Sequence, residues 1–145
     1  MTRIACQQLA PTLADLQANR TLTRQAIREA VAGGADVVVL PELVTSGYMF
    51  QAPDEATKVA ITPEHELLRE WASEAARHEI VLVGGFCEQG EDGAVYNSAA
   101  VFDSSGLRAV YRKLHLWDRE KLVFAAGSKA PPVIDTTVGR IAVVI

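Results

Sequence analysis

The chain has 145 residues, 49% hydrophobic and 22% charged, a balance that excludes disorder, collagen-like repetition and a disulfide scaffold built on its two cysteines. A formal net charge of −4 removes the electrostatic footprint of a general nucleic-acid binder, and no apolar run approaches the ~18 residues of a membrane span. Arg3 is followed too soon by Gln7 and Gln8 for a signal peptide, so the composition points to a soluble cytoplasmic protein without nucleic-acid or membrane partners.

Residues 3–8 are β-capable and stop before Pro11, which predicts a first strand. Thr12 or Asp15 then caps a helix whose apolar face carries Leu22, Ala26, Ile27, Ala30 and Val31, with Arg24, Arg28 and Glu29 opposite. Gly33-Gly34 supplies the left-handed residue that ends it. Residues 37–40, Val-Val-Val-Leu, read as a short strand covered on both faces and stopped by Pro41. This β-α-β start predicts a right-handed crossover and a parallel pair. Residues 42–58 lack a period and read as one long loop.

A second helix is expected with Thr62 as cap, Pro63 at its first position and Glu64 and Glu66 in the first turn. Its apolar face is Leu67, Leu68, Trp71 and Ala75, and Arg77 and His78 suit its C-terminal end. Residues 80–86 form a strand and 88–93 a polar turn. Residues 95–102 and 107–111 form a hairpin around a four-residue loop, Asp103-Ser104-Ser105-Gly106. Residues 112–130 are irregular and charge-rich, and 133–135 and 140–145 are closing strands. The pattern is α/β with mixed strand pairing and no internal boundary. The closing run Ile141-Ala142-Val143-Val144-Ile145 has no turn residue or polar tail after it, so the chain reads as cut rather than finished.

Three charged residues sit where chemistry is expected. Glu42 directly follows the 37–40 strand, at the carboxyl end where open α/β sheets place their sites. Lys113 follows the 107–111 strand in the same way, and Glu120 lies seven residues later. A carboxylate and an ammonium meeting at neighbouring strand ends suit a general base and an oxyanion stabiliser. A solvated loop carboxylate and a surface lysine are the plain alternatives. His115 reads as a packing or hydrogen-bonding histidine, Cys6 as a small core residue and Cys87 as a strand residue without a supporting histidine. Gly84-Gly85 lacks the lysine and helix of a phosphate loop.

Val-Val-Leu-Pro41-Glu42-Leu43 with Gly47-Tyr48, then Tyr96-Asn97-Ser98, Tyr111-Arg112-Lys113-Leu114-His115-Leu116, Phe124-Ala125-Ala126-Gly127 and Gly139-Arg140-Ile141-Ala142-Val143-Val144-Ile145 together resemble the nitrilase superfamily of carbon–nitrogen hydrolases. The resemblance runs the whole chain in order and spacing; Ala126 stands where the family usually has proline. It implies a four-layer αββα sandwich, of which this chain would be approximately the first half. It also implies a Glu-Lys-Cys thiol mechanism with Glu42 as general base, Lys113 as catalytic lysine and Glu120 as the second glutamate of amidase-like members. The family's nucleophilic cysteine would stand directly after Ile145, so these residues alone are expected to be inactive; neither Cys6 nor Cys87 matches it. The implied substrate is a small amide, nitrile or N-carbamoyl compound, with no cofactor and no metal, in a homo-oligomer of two or more subunits. Two other readings stay open: a metal-dependent phosphodiesterase of similar sandwich fold with Glu42 and Asn97 near Mg²⁺, and a non-catalytic subunit or binding module.

Overall fold

A computed structural model describes residues 1–145. The elements are β1 (Ile4–Cys6), α1 (Leu16–Ala32), β2 (Val37–Val39), α2 (Pro53–Val59), α3 (Glu66–His78), β3 (Val81–Gln89), β4 (Val95–Asp103), β5 (Gly106–Arg112), α4 (Glu120–Val123), β6 (Val133–Thr136) and β7 (Gly139–Ala142). Strands β1 to β5 form one sheet in sequence order, and β6 and β7 form a separate two-stranded sheet. The pairs β1·β2 and β2·β3 are parallel, as the β-α-β reading expects, whereas β3·β4 and β4·β5 are antiparallel. Strands β1, β2, β3 and β5 therefore run the same way, and their carboxyl ends share one edge.

The alternation of side chains assigns the two faces. Val38, Leu82, Ala100 and Phe102 point to one side, where they pack on Ala26, Ile27 and Ala30 of α1 and on Leu67, Leu68, Trp71 and Ala75 of α3. Val37, Val81, Val83, Ala99 and Val101 point to the other, toward Ile134 and Val143 of the closing hairpin segment. A helix layer, a five-stranded sheet and a two-stranded sheet thus stack in order. A third apolar cluster, with Leu43, Phe50, Ala56, Val59, Cys87, Val95 and Phe124, sits beside the carboxyl edge.

Local chemistry explains the element ends. Asp15, not Thr12, caps α1, its carboxylate accepting the Ala18 N–H at 2.9 Å. Gly34 takes φ +77°, and the Arg3 guanidinium donates to the Gly33 carbonyl at 2.6 Å, a cation at the negative end of the helix. Gly84 lies flush under the Trp71 ring: a Cβ there would come within 2.4 Å of it, so the bare backbone lets α3 settle on β3.

Several expectations need correction. Residues 42–58 are not all loop, because Pro53 starts the seven-residue α2, with Asp54 and Glu55 in its first turn; two turns are too short to show a period. Helix α3 begins at Glu66, not Pro63. His65 is its cap, with Nδ1 accepting the Leu67 N–H at 3.2 Å, and Thr62 closes a preceding turn through its carbonyl. Strand β3 continues through Glu88, because Arg112 on β5 neutralises that buried carboxylate in a bidentate pair. Asp103 pairs with Gly106, so the β4–β5 loop holds two residues and not four, with Gly106 at φ +101°. Strand β7 stops at Ala142, short of the strand expected to 145; Val143 is buried and Val144 exposed. Cys6 is exposed, since β1 is an edge strand on which Ile4 and Cys6 face outward.

The weight of helix–sheet packing rests on Trp71, which is buried, stands edge-on to Phe102 at 6.3 Å and donates its indole N–H to Thr23. Replacing it by alanine is expected to lower stability by about 3–5 kcal/mol through transfer and cavity terms, as read from urea unfolding midpoints.

Candidate active site

Glu42 owes its place to the turn after β2. Leu43 follows it at φ +48°, a left-handed conformation that a branched residue adopts only under constraint. That constraint is visible: Leu43 is fully buried, its carbonyl accepts the Gly47 N–H at 2.8 Å, and the Val44 N–H donates to the Gly85 carbonyl at 3.1 Å. The turn lies directly on Gly85, where a Cβ would sit 2.5 Å from the Leu43 nitrogen and 2.7 Å from Glu42 Cα. Gly84-Gly85 is therefore a double docking surface, one residue for a helix and one for the turn that carries Glu42.

Lys113 follows β5, and its backbone N–H donates to the Asn97 carbonyl on β4 at 2.9 Å. Gly127 donates back to the Lys113 carbonyl at 2.8 Å, so the 124–127 segment clamps the strand end. Glu120 opens the single-turn α4, where it reaches back to accept the Trp117 N–H at 2.6 Å, in the manner of a capping glutamate.

The three expected residues converge. Lys113 Nζ donates to Glu42 Oε1 and to Glu120 Oε1, both at 2.8 Å. Lys113 and Glu120 are largely buried, with side chains 11% and 4% exposed, whereas Glu42 is 36% exposed and faces outward. Burial works against the Lys113 ammonium, but its hydrogen bonds to Glu120 and Glu42 outweigh it and hold the group above the usual lysine value. Burial likewise opposes ionisation of Glu120, and the Lys113 and Trp117 donors overcome it, so its carboxyl lies below the usual range. Burial, and then the interaction with Glu120, push the Tyr48 phenol up to about 12, which keeps it a neutral group facing the same carboxylate.

Sequence reasoning assigned no positioning to Asn97 or Tyr48, although both stood in the motifs. Asn97 Nδ2 donates to Glu42 Oε1 at 2.6 Å and to Glu120 Oε1 at 3.1 Å. The signal was present: an amide on a strand that is buried along its whole length needs partners. His115 is exposed, not packed. Cys87 is buried within β3, with its thiol donated toward the Ala56 carbonyl at 3.6 Å and pushed up to about 12 by burial, so it is no nucleophile. The space between Glu42 and Glu120 is filled by the Lys113 ammonium, and Asn97 presents its donor end, so Glu42 and Asn97 do not form a cation-binding pair.

The ion pair has a pH window. The raised Lys113 contributes stability fully below its unfolded value of 10.5 and loses it as pH rises through the higher folded value. The depressed Glu120 contributes above 4.5 and loses it as pH falls through the lower folded value. Glu120→Gln is expected to cost about 1–3 kcal/mol at neutral pH. Denaturant midpoints taken between pH 7 and pH 3 should show that deficit closing below 4.5. Acid sensitivity from Glu70, held down to about 2 chiefly by its hydrogen bond with Arg20, remains in both proteins.

Residues 3–145 match the carbon-nitrogen hydrolase family. The chain is 34% identical over 146 residues to a nitrilase of Pyrococcus abyssi, covering 100% of this chain and 55% of that protein. It is 32% identical over 147 residues to a chloroplastic omega-amidase of Arabidopsis thaliana, covering 94% of this chain and 40% of that protein. Among solved structures, a cysteine-to-alanine mutant of the Nesterenkonia AN1 amidase from the nitrilase superfamily superposes with a TM-score of 0.81 at 26% identity, covering 99% of this chain and 55% of that one. The chain thus spans about half the length of the relatives it matches. On the match over residues 3–145 and the shared α/β fold, this chain belongs to the carbon–nitrogen hydrolase family.

Proposed function

We propose that the protein cleaves a small amide through a thioester intermediate, with Glu42 as general base, Lys113 as oxyanion stabiliser and Glu120 holding the lysine charged and in place. The observation that carries this reading is one ammonium, Lys113 Nζ, fixed at 2.8 Å from each of two carboxylates, of which only Glu42 opens outward. Residues 1–145 would be the N-terminal part of a single hydrolase domain, with the nucleophilic cysteine directly after Ile145. A glutamate-to-glutamine mutant of the Nesterenkonia AN1 amidase shows Michael addition of acrylamide at its active-site cysteine, which supports a thiol in this family's chemistry.

A free thiol is mostly protonated at neutral pH and needs a base within reach. Glu42 takes the S–H proton as sulfur bonds to the amide carbon, and the carbonyl π electrons move onto oxygen. Lys113 donates a hydrogen bond to that oxyanion. When the oxyanion collapses, the C–N bond breaks and the departing nitrogen takes the proton from Glu42, leaving a thioester. Water then gives a proton to Glu42 as its oxygen bonds to the thioester carbon, and expulsion of sulfur, which recovers the proton, releases the carboxylic acid. Every proton handled passes through Glu42, and Lys113 keeps its own.

An amide is preferred over a nitrile because Glu120 matches the second glutamate of amidase-like members of the family. In the complete protein, Glu42→Gln should lower kcat by about 10²–10⁴-fold. Lys113→Ala should lower it by about 10²–10³-fold. A thiol alkylating agent should inactivate the enzyme where a chelator leaves it active. Steady-state assay on a short aliphatic amide checks all three, and normal turnover by both variants would contradict the assignment.

A further inference from the structure

We propose that Asn97 is a positioning residue for this reaction: its amide donates to Glu42 and Glu120 together, holds both carboxylates against one ammonium, and leaves one oxygen of Glu42 free for the proton. The inference rests on the reading of Glu42 as general base.

The oxygens of the two carboxylates carry the argument. Glu42 Oε1 accepts from Asn97 Nδ2 and from Lys113 Nζ. Glu120 Oε1 accepts from the same two donors, and Glu120 Oε2 accepts the Trp117 N–H. Of four carboxylate oxygens, three are engaged and Glu42 Oε2 alone is open. The amide therefore selects which atom takes the thiol proton, without itself touching the reacting carbon.

Charge gives a second reason. Two carboxylates facing one ammonium leave an excess negative charge, and two carboxylates in one site otherwise share a proton. A protonated Glu42 is no base. The two N–H groups of Asn97 give each carboxylate a further donor without adding charge. The amide pays in its other half: Oδ1 is buried and has no hydrogen-bond partner. Turning the group over would set that oxygen against two carboxylates, so the donor end stays inward.

Placement makes the contact rigid. Asn97 is fully buried on β4, paired with Cys87 of β3 on one side, and its carbonyl receives the Lys113 N–H on the other. One residue thus ties together the backbone of the lysine and the side chains of both glutamates. The ionisable groups around it are Glu42, Lys113, Glu120 and Tyr48, with the Cys87 thiol turned to the Ala56 carbonyl.

The test is the pH dependence of kcat and KM for amide hydrolysis in the complete protein, with Asn97→Ala and the near-isosteric Asn97→Asp. Side-chain ¹³C NMR titration of the resting enzyme and thermal unfolding accompany it. Asn97→Ala should lower kcat about 10²-fold with KM within about threefold. Its acid limb and carboxylate titration should move upward by about one pH unit, and those of Asn97→Asp, which adds a third carboxylate, further still. A fall in kcat with an unmoved acid limb and unmoved titration would show a packing role and overturn the proposal. A rise in KM at constant kcat would make Asn97 a substrate contact and overturn it equally. If Asn97→Ala does not fold, the near-isosteric Asp variant decides by the same limbs. Full activity of Glu42→Gln would overturn the base reading and the catalytic part of this proposal; the resting-state titration would still move, which tells that failure from a failure of the Asn97 contacts.

Discussion

One buried ammonium shared by two carboxylates is the constraint on which the rest of this site depends. Lys113 Nζ lies 2.8 Å from Glu42 and 2.8 Å from Glu120, carboxylates 71 and 7 residues away in the chain. Removing the lysine would leave two carboxylates facing each other without a counter-charge, Glu120 among them buried, where an unpaired charge is costly. The cluster is consequently assembled by backbone: a turn on Gly85, a strand end clamped by Gly127, and a capping glutamate at the start of a single helical turn. Leu43, directly after Glu42, is left-handed at φ +48°, and so is Asp118, two residues before Glu120, at φ +43°. Local strain of this kind persists only where packing over-determines it, and Leu43 is locked in an apolar cluster with Phe50, Val59 and Phe124.

The sheet makes that assembly possible. Because β4 runs against its neighbours, β5 returns parallel to β2, and the residues after both strands emerge at the same edge. Beneath the site, on the opposite face of the sheet, Arg112 is bidentate to Glu88 and lies 3.8 Å over the Tyr96 ring, while Ser98 donates to the same carboxylate. Glu88, Ser98 and Arg112 adjoin Cys87, Asn97 and Lys113 in sequence, so this ion pair and the site residues occupy opposite faces of the same strands.

The sequence was most readable where hydrophobic period and breaker residues agreed. The Val-Val-Val-Leu-Pro run, the α1 face and the Gly-ended hairpin follow from alternation, 3.6-residue spacing and turn chemistry alone. Glu42, Lys113 and Glu120 were legible as strand-end and loop charges, and their family resemblance raised them above the many other charged residues. What stayed hidden depended on partners distant in the chain. Glu88 looked like a turn residue because nothing nearby announces Arg112, 24 residues on. His65 became a helix cap in place of Thr62 because tertiary packing set where α3 starts. Asn97 stood in a quoted motif, yet its role needed the positions of Glu42 and Glu120, 55 and 23 residues away.

The most direct test of the shared-ammonium account is the titration of Lys113 Nζ in the resting protein, followed by ¹⁵N NMR and assigned by loss of the signal in Lys113→Arg. The account predicts a single proton loss above the ordinary lysine value of 10.5, moving down when Glu120 is replaced by glutamine. A Lys113 that titrates below 10.5, or that ignores the loss of Glu120, would contradict it.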